Sequence, residues 1–261
     1  MAKETAGKQG KAKSKALISA EAQRHIDAEA GKGKGALLSD VILGGQDGLV
    51  NVLGIVLGVA SATNDRFIVL VAGLVATFAE SVSMAAVAYA SSRADEDHYK
   101  RELANEKWEM EHLPEVETEE IHLIYMKKGY RGRELSQMVE NTCANKEMWL
   151  HMMMTDELGL TPPEASAPLR AAAIVGVSAL VGSLLPLIPF IFLPVADALI
   201  PSLILSTLVL FGVGVYKARI TVGNWFKSGV EMAAVGMIAA LVGYLVGKVL
   251  GDWFGLKNLP T

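Results

Sequence analysis

Residues 73–114 read GLVATFAESVSMAAVAYASSRADEDHYKRELANEKWEMEHLP, and between Gly73 and Pro114 there is neither glycine nor proline. The first half is apolar apart from Glu80, and from Arg93 onward charges are dense. Nothing in between interrupts a helix. About 40 helical residues at 1.5 Å each make roughly 60 Å, twice the hydrocarbon thickness of a bilayer. The stretch therefore predicts one helix that crosses a membrane and continues beyond it, until Pro114 stops it.

The rest of the chain fits a membrane protein. Apolar residues make up 51% of the 261 and charged residues 20%, with a mean hydropathy of +0.34. Those charges are segregated. Asp40 and Asp47 are the only ones between Leu37 and Ala62, and Asp197 is the only one between Ala171 and Tyr216. A crossing needs roughly 20 apolar residues. Five spans are predicted, near Leu38–Ala62, Phe67–Ser91, Leu169–Leu193, Asp197–Tyr216 and Gly229–Phe254. The fold class is all-α, a polytopic membrane protein with a helical insert between spans two and three. The domains expected are a basic arm (1–36), spans one and two (37–92), the insert (93–166) and spans three to five (167–261). The net charge of −4 says little about partners in such a chain, and no nucleic-acid partner is expected. The single cysteine, Cys143, excludes an internal disulfide and a cysteine metal cluster.

Basic residues set the expected orientation. With the N-terminus cytosolic, Lys3 to Lys34, the insert, and the loop with Lys217, Arg219 and Lys227 lie inside, leaving Arg66 and Lys257 outside and Lys248 in the last span. The basic arm reads as disordered or interfacial, drawn to anionic lipid. Four-residue glycine spacings recur at Gly44/Gly48, Gly54/Gly58, Gly243/Gly247 and Gly247/Gly251. They favour close helix packing, within the chain or in a homodimer.

Two further helices are expected in the insert, near Glu117–Lys128 and Arg133–Leu158, the last stopped by Gly159, Pro162 and Pro163. Glu102, Glu106 and Glu109 share a stripe of the long helix, Glu117 and Glu120 lie one turn apart, and so do Met153 and Glu157. Each glutamate alone is an ordinary solvated position. Three converging carboxylate stripes need a cation. Oxygen ligands suit Mg²⁺ or Ca²⁺, whereas a thioether and imidazoles shift preference toward a transition metal such as Fe²⁺.

Ionisable side chains inside a span are functional candidates. Asp47 lies in span one, Glu80 in span two, and Met84 one turn beyond Glu80. Two carboxylates and a thioether suit a divalent cation, and the carboxylates could take up protons when it leaves. Glu231 and Met232, at the start of span five, read as structural.

From Ser39 onward the chain resembles the vacuolar iron transporter family. The resemblance rests on Asp47-Gly48-Leu49-Val50 with Leu53-Gly54-Ile55-Val56-Leu57-Gly58-Val59-Ala60, on Ser83-Met84-Ala85, and on His98-Tyr99-Lys100-Arg101-Glu102-Leu103. It also rests on Trp149-Leu150 and Glu157-Leu158-Gly159-Leu160. It implies five spans, a cytosolic three-helix metal-binding unit, a homodimer, and export of Fe²⁺ and Mn²⁺ from the cytosol with proton antiport. Co²⁺ and Zn²⁺ are further candidate ions. It implies that Glu106, Glu109, Glu117, Glu120, Met153 and Glu157 are the insert's ligands, and that Asp47 and Met84 line the path. One position departs from the family pattern. The span-two carboxylate expected two turns before the methionine is here Ala76, and the carboxylate present is Glu80, one turn closer. The membrane expected is the cell membrane in a prokaryote and the vacuolar membrane in a eukaryote.

Two Glu-x-x-His pairs, Glu109…His112 and Glu119…His122, leave an alternative open: a membrane-anchored di-iron carboxylate oxidase or iron store. The pairs lie ten residues apart with Pro114 between them, unlike a site built midway along two facing helices. A further alternative is a metal sensor or scaffold, in which ions bind and none cross.

Overall fold

The computed structural model describes residues 34–164, 166–221 and 223–255, and every element among them is helical. The basic arm therefore lies outside the described residues as far as residue 33, and so does Lys257. Among the described residues, five helices are long and apolar enough to cross a membrane.

The chain divides into two compact units. Among the described residues, the first comprises those up to Met84 together with those from Ile174 onward. It is built around α1 (Lys34–Thr63), with α2 (Arg66–His112), α6 (Ala167–Leu184), α7 (Ile188–Phe192), α8 (Val195–Ile220) and α9 (Trp225–Trp253). Asp65 starts α2, its Oδ1 accepting from the backbone N–H groups of Phe67 (2.7 Å) and Ile68 (3.1 Å). The third span is interrupted by a 3₁₀ turn at Leu185–Leu187, where Pro186 and Pro189 remove backbone donors. Ser202 of α8 donates to the Pro186 carbonyl at 2.7 Å. Lys217 and Arg219 sit in the last turn of α8 and Lys227 opens α9, so these charges are on helix ends rather than in the connecting loop.

The core of this unit is Val52, Leu53, Val56 and Leu57 of α1, packed with Val69, Leu187, Phe190, Ala198 and Ala240. The glycine spacings seen in the sequence are used inside the chain. A Cβ on Gly58 would stand 2.8 Å from the Gly243 carbonyl oxygen, and one on Gly251 would stand 2.7 Å from Ala62 Cα. Gly44 and Gly48 likewise lie against the backbone of Val175 and Ala179. Outward-facing Phe67, Phe78, Phe192 and Trp253 are largely exposed, as suits side chains that meet lipid.

The second unit spans Ala85–Ala173. It holds the later part of the 47-residue α2, then α3 (Pro114–Lys127), α4 (Gly132–Cys143), α5 (Lys146–Met152) and a π-helical segment, Met153–Glu157. Pro114 both ends α2 and occupies the first position of α3, where its missing N–H has no cost. The single helix expected over Arg133–Leu158 is instead three pieces. Asn145 divides it: the side chain caps α5, accepting from Glu147 N–H at 3.1 Å and Met148 N–H at 3.2 Å. Ile121, Ile124 and Tyr125 of α3, Leu135 and Val139 of α4, Trp149 and Met153 form this unit's core. Inside it, the Tyr125 and Thr142 hydroxyls are bonded at 2.8 Å.

Candidate metal site and membrane carboxylates

Helix period places Glu106 and Glu109 on one face of α2, and Glu117 in the first turn of α3 brings a third carboxylate to them. One ligand oxygen from each of the three lies within 4.8 Å of the others. Glu106 and Glu117 are only 5% and 3% exposed. Each has an Oε2 that is buried and has no hydrogen-bond partner. A buried carboxylate oxygen without a partner is expensive, and two of them stand in this group.

The electrostatics follow. Burial first, then the charges of Glu157, Glu109, Glu120 and Glu102, push the Glu106 carboxyl up to about 7. Burial first, then Glu120, Glu106, Glu109 and Glu157, push Glu117 up to about 7. Glu157 is an exposed residue, yet its carboxyl is raised too, by partial burial and then by Glu120 and Glu109, against a smaller lowering by Lys127. Glu106, Glu109, Glu117, Glu120 and Glu157 therefore form one mutually repelling set. A divalent cation is the ligand that would relieve it.

A model of the VIT family matches residues 38–248. The chain belongs to the VIT family. Among its relatives, vacuolar iron transporter 2 of Oryza sativa subsp. japonica is 31% identical over 243 residues, covering 93% of this chain and 96% of that one. Vacuolar iron transporter 1 of Arabidopsis thaliana is 31% identical over 235 residues, 90% and 92% of the two chains. The vacuolar iron transporter of Plasmodium falciparum (isolate 3D7) is 32% identical over 223 residues, 82% of each.

The remaining candidates of this VIT-family chain fall into three situations. Met153 is fully buried among the apolar core residues, at the start of the π segment and one turn before Glu157. π segments inside helices are frequent at functional sites. Glu102 lies on the same face of α2 as Glu106 and has an ordinary partner: Arg101 donates to its Oε1 at 2.8 Å. The histidines of the two Glu-x-x-His pairs do not join the carboxylate group. His112 stacks on Trp108 at 4.4 Å between ring centroids, with its Nδ1 2.7 Å from the Trp108 carbonyl oxygen. His122 Nδ1 lies 3.4 Å from Glu119.

In the membrane unit the structure brings Asp47 and Glu80 together through Asn51. Asn51 Nδ2 donates to Glu80 Oε1 at 3.0 Å and to Asp47 Oδ2 at 3.3 Å. Met84 follows Glu80 by one turn and is half-buried. Ala76, where a carboxylate was expected from the resemblance, packs instead against the apolar core around Val56 and Leu187. Sequence reasoning singled out the two acids and missed Asn51. The available signal was an amide one helical turn after Asp47 in an otherwise apolar run.

Proposed function

We propose that this protein is a secondary transporter, not an enzyme, that moves Fe²⁺ out of the cytosol by proton antiport, with Mn²⁺ as a second substrate. The observation that carries the proposal is the convergence of Glu106, Glu109 and Glu117 with two buried, unpartnered carboxylate oxygens. It occurs in a chain whose relatives along nearly its whole length are named vacuolar iron transporters. The insert, residues 93–166, is the cytosolic intake, with Glu120, Met153 and Glu157 completing the ligand set. Asp47, Glu80 and Met84 form the path through the bilayer, and exchange of ion for protons on the carboxylates provides the coupling. The N-terminus is cytosolic, the membrane is vacuolar or its counterpart, and the working unit is a homodimer.

The alternative of a di-iron oxidase loses support from His112, which lies against Trp108 rather than beside the carboxylates. The test is metal flux into proteoliposomes under an imposed pH gradient, comparing Fe²⁺, Mn²⁺, Co²⁺ and Zn²⁺. Asp47→Ala is expected to abolish flux while the protein stays folded. Undiminished flux in that variant rejects the path.

A further inference from the structure

Asn51 is a polar residue in the apolar run of α1, and its amide reaches a side chain 29 residues away in the chain. An amide NH₂ has two donor protons, and here its nitrogen stands within bonding distance of one oxygen on each of two carboxylates. Those are the two acids that the proposed transport path requires. Two neighbouring carboxylates in a membrane repel each other strongly, and an NH₂ group between them offsets part of that repulsion. A cation between the same acids would do so more completely. It would also repel the N–H dipoles, so the present orientation of the amide and a bound ion exclude each other.

The terminal torsion of asparagine is soft and roughly two-fold. Turning it by half a circle exchanges Nδ2 for Oδ1, replacing a donor with an oxygen ligand in the same place. Amide oxygens are normal ligands of hard divalent ions. We propose that Asn51 is a switchable positioning residue: its NH₂ holds Asp47 to Glu80, and on ion arrival the amide turns to offer Oδ1 as a further ligand. The inference rests on the transport path proposed above. It assigns to Asn51 the choice between two states of that path, and it predicts that ion preference at the membrane acids depends on an amide oxygen as well as on the Met84 thioether.

The test uses the full chain in lipid nanodiscs, with Mn²⁺ binding followed by electron paramagnetic resonance. Glu106→Gln and Glu117→Gln remove binding at the insert, and Asp47→Ala identifies the signal that belongs to the membrane acids. Asn51→Leu, similar in size but without polar atoms, is expected to weaken that signal's affinity about tenfold, the scale of one lost interaction with a charged group. It should raise the KM for Fe²⁺ flux in parallel. Asn51→Asp restores an oxygen without the donors and is expected to bind Mn²⁺ at least as tightly as the parent protein. Unchanged affinity in Asn51→Leu overturns the proposal, and so does weakened affinity in Asn51→Asp. The second variant decides alone if Asn51→Leu does not fold. A chain that binds Mn²⁺ in this Asn51-dependent way but carries none across keeps the inference and sinks the transport reading.

Discussion

Gly58 of α1 and Gly243 of α9 meet backbone to backbone, with the Gly243 carbonyl oxygen 2.8 Å from where a Gly58 Cβ would stand. Gly247 and Gly251 continue the same seam against Gly58 and Ala62. With no side chain to separate them, the two spans gain close packing along their length, which is the main source of helix association in lipid. Gly58→Ala must therefore push backbone rather than a flexible side chain, and overpacking of this kind costs about 1–3 kcal/mol. Gly212 is the control, since a Cβ there would meet nothing within 4 Å. Gly212→Ala is expected to be neutral or stabilising by up to about 1 kcal/mol through helix propensity. Thermal loss of monodisperse protein in detergent compares them. Equal melting of the two variants would show that the seam does not limit stability.

The raised carboxyls would make the metal affinity proposed for the insert depend on pH near neutrality. Glu106 and Glu117 hold their protons up to about 7 in the folded chain, against 4.5 as the ordinary value. Between those values the folded state binds more protons than the unfolded state. Metal-free stability therefore falls as pH rises through that window, and the whole penalty is present above about 7. A cation needs the deprotonated carboxylates, so binding runs the other way. With both carboxyls near 7, lowering the pH from 7 to 6 should weaken Mn²⁺ affinity at the insert by about fivefold if one proton must leave, and by about thirtyfold if both must. Calorimetric titration at several pH values measures this. A flat profile from pH 6 to 8 would remove these two groups from the ligand set.

Neutralising one of them separates function from stability. Glu106→Gln keeps the shape of a side chain that is 5% exposed and removes its charge from the repelling set. Above about pH 7, where the carboxyl is ionised, the metal-free protein is expected to melt about 2–4 °C higher, because burial of an unpartnered charge no longer opposes folding. The same variant should lose most of the stabilisation that Mn²⁺ or Fe²⁺ gives the parent protein. A metal-free melting temperature below that of the parent would mean that the Glu106 charge has a stabilising partner.

How much was legible in the sequence depended on the range of the interactions involved. The spans and the glycine spacings follow from hydropathy and from period along one helix, so Gly54/Gly58 and Gly243/Gly247 could be read directly. The carboxylate stripes of α2 and α3 were legible for the same reason. The break at Asn145 was not, because an asparagine within a helical pattern looks like any polar surface position until its side chain is seen accepting from Glu147 and Met148 N–H. Asn51 was missed because its partner Glu80 lies on another helix, and no local periodicity encodes that meeting. Met153 was legible as a methionine beside glutamates, but its full burial reflects the packing of Tyr125 and Trp149 around it.

The position of His112 gives a clear discrimination between transport and oxidation. It stacks on Trp108 from one turn away, and its Nδ1 meets the Trp108 carbonyl oxygen at the end of α2. His112→Ala is expected to leave Fe²⁺ flux and Mn²⁺ affinity within about twofold of the parent. The stability cost is expected to be about 0.5–1.5 kcal/mol, as for a lost aromatic pair. Oxygen consumption on adding Fe²⁺, abolished by this substitution, would return the di-iron reading to the lead.

The register of the span-two carboxylate can be tested by moving it. Glu80 reaches Asn51, while Ala76 one turn earlier packs against the apolar core around Val56 and Leu187. Glu80→Ala is expected to reduce Fe²⁺ flux at least about tenfold, since it removes a charged partner from Asn51 and one of two acids from the path. Adding Ala76→Glu to that variant supplies a carboxylate at the spacing expected from the resemblance. It also places the carboxylate at a position that packs against the apolar core, where an added charge is costly and the extra volume overpacks it. The double variant should therefore be no more active than Glu80→Ala and should melt lower. Proteoliposome flux together with thermal stability in detergent decides the matter. Recovered flux at parental stability would show that the path accepts its acid from either turn of α2, and that the Asn51–Glu80 contact is not required for transport.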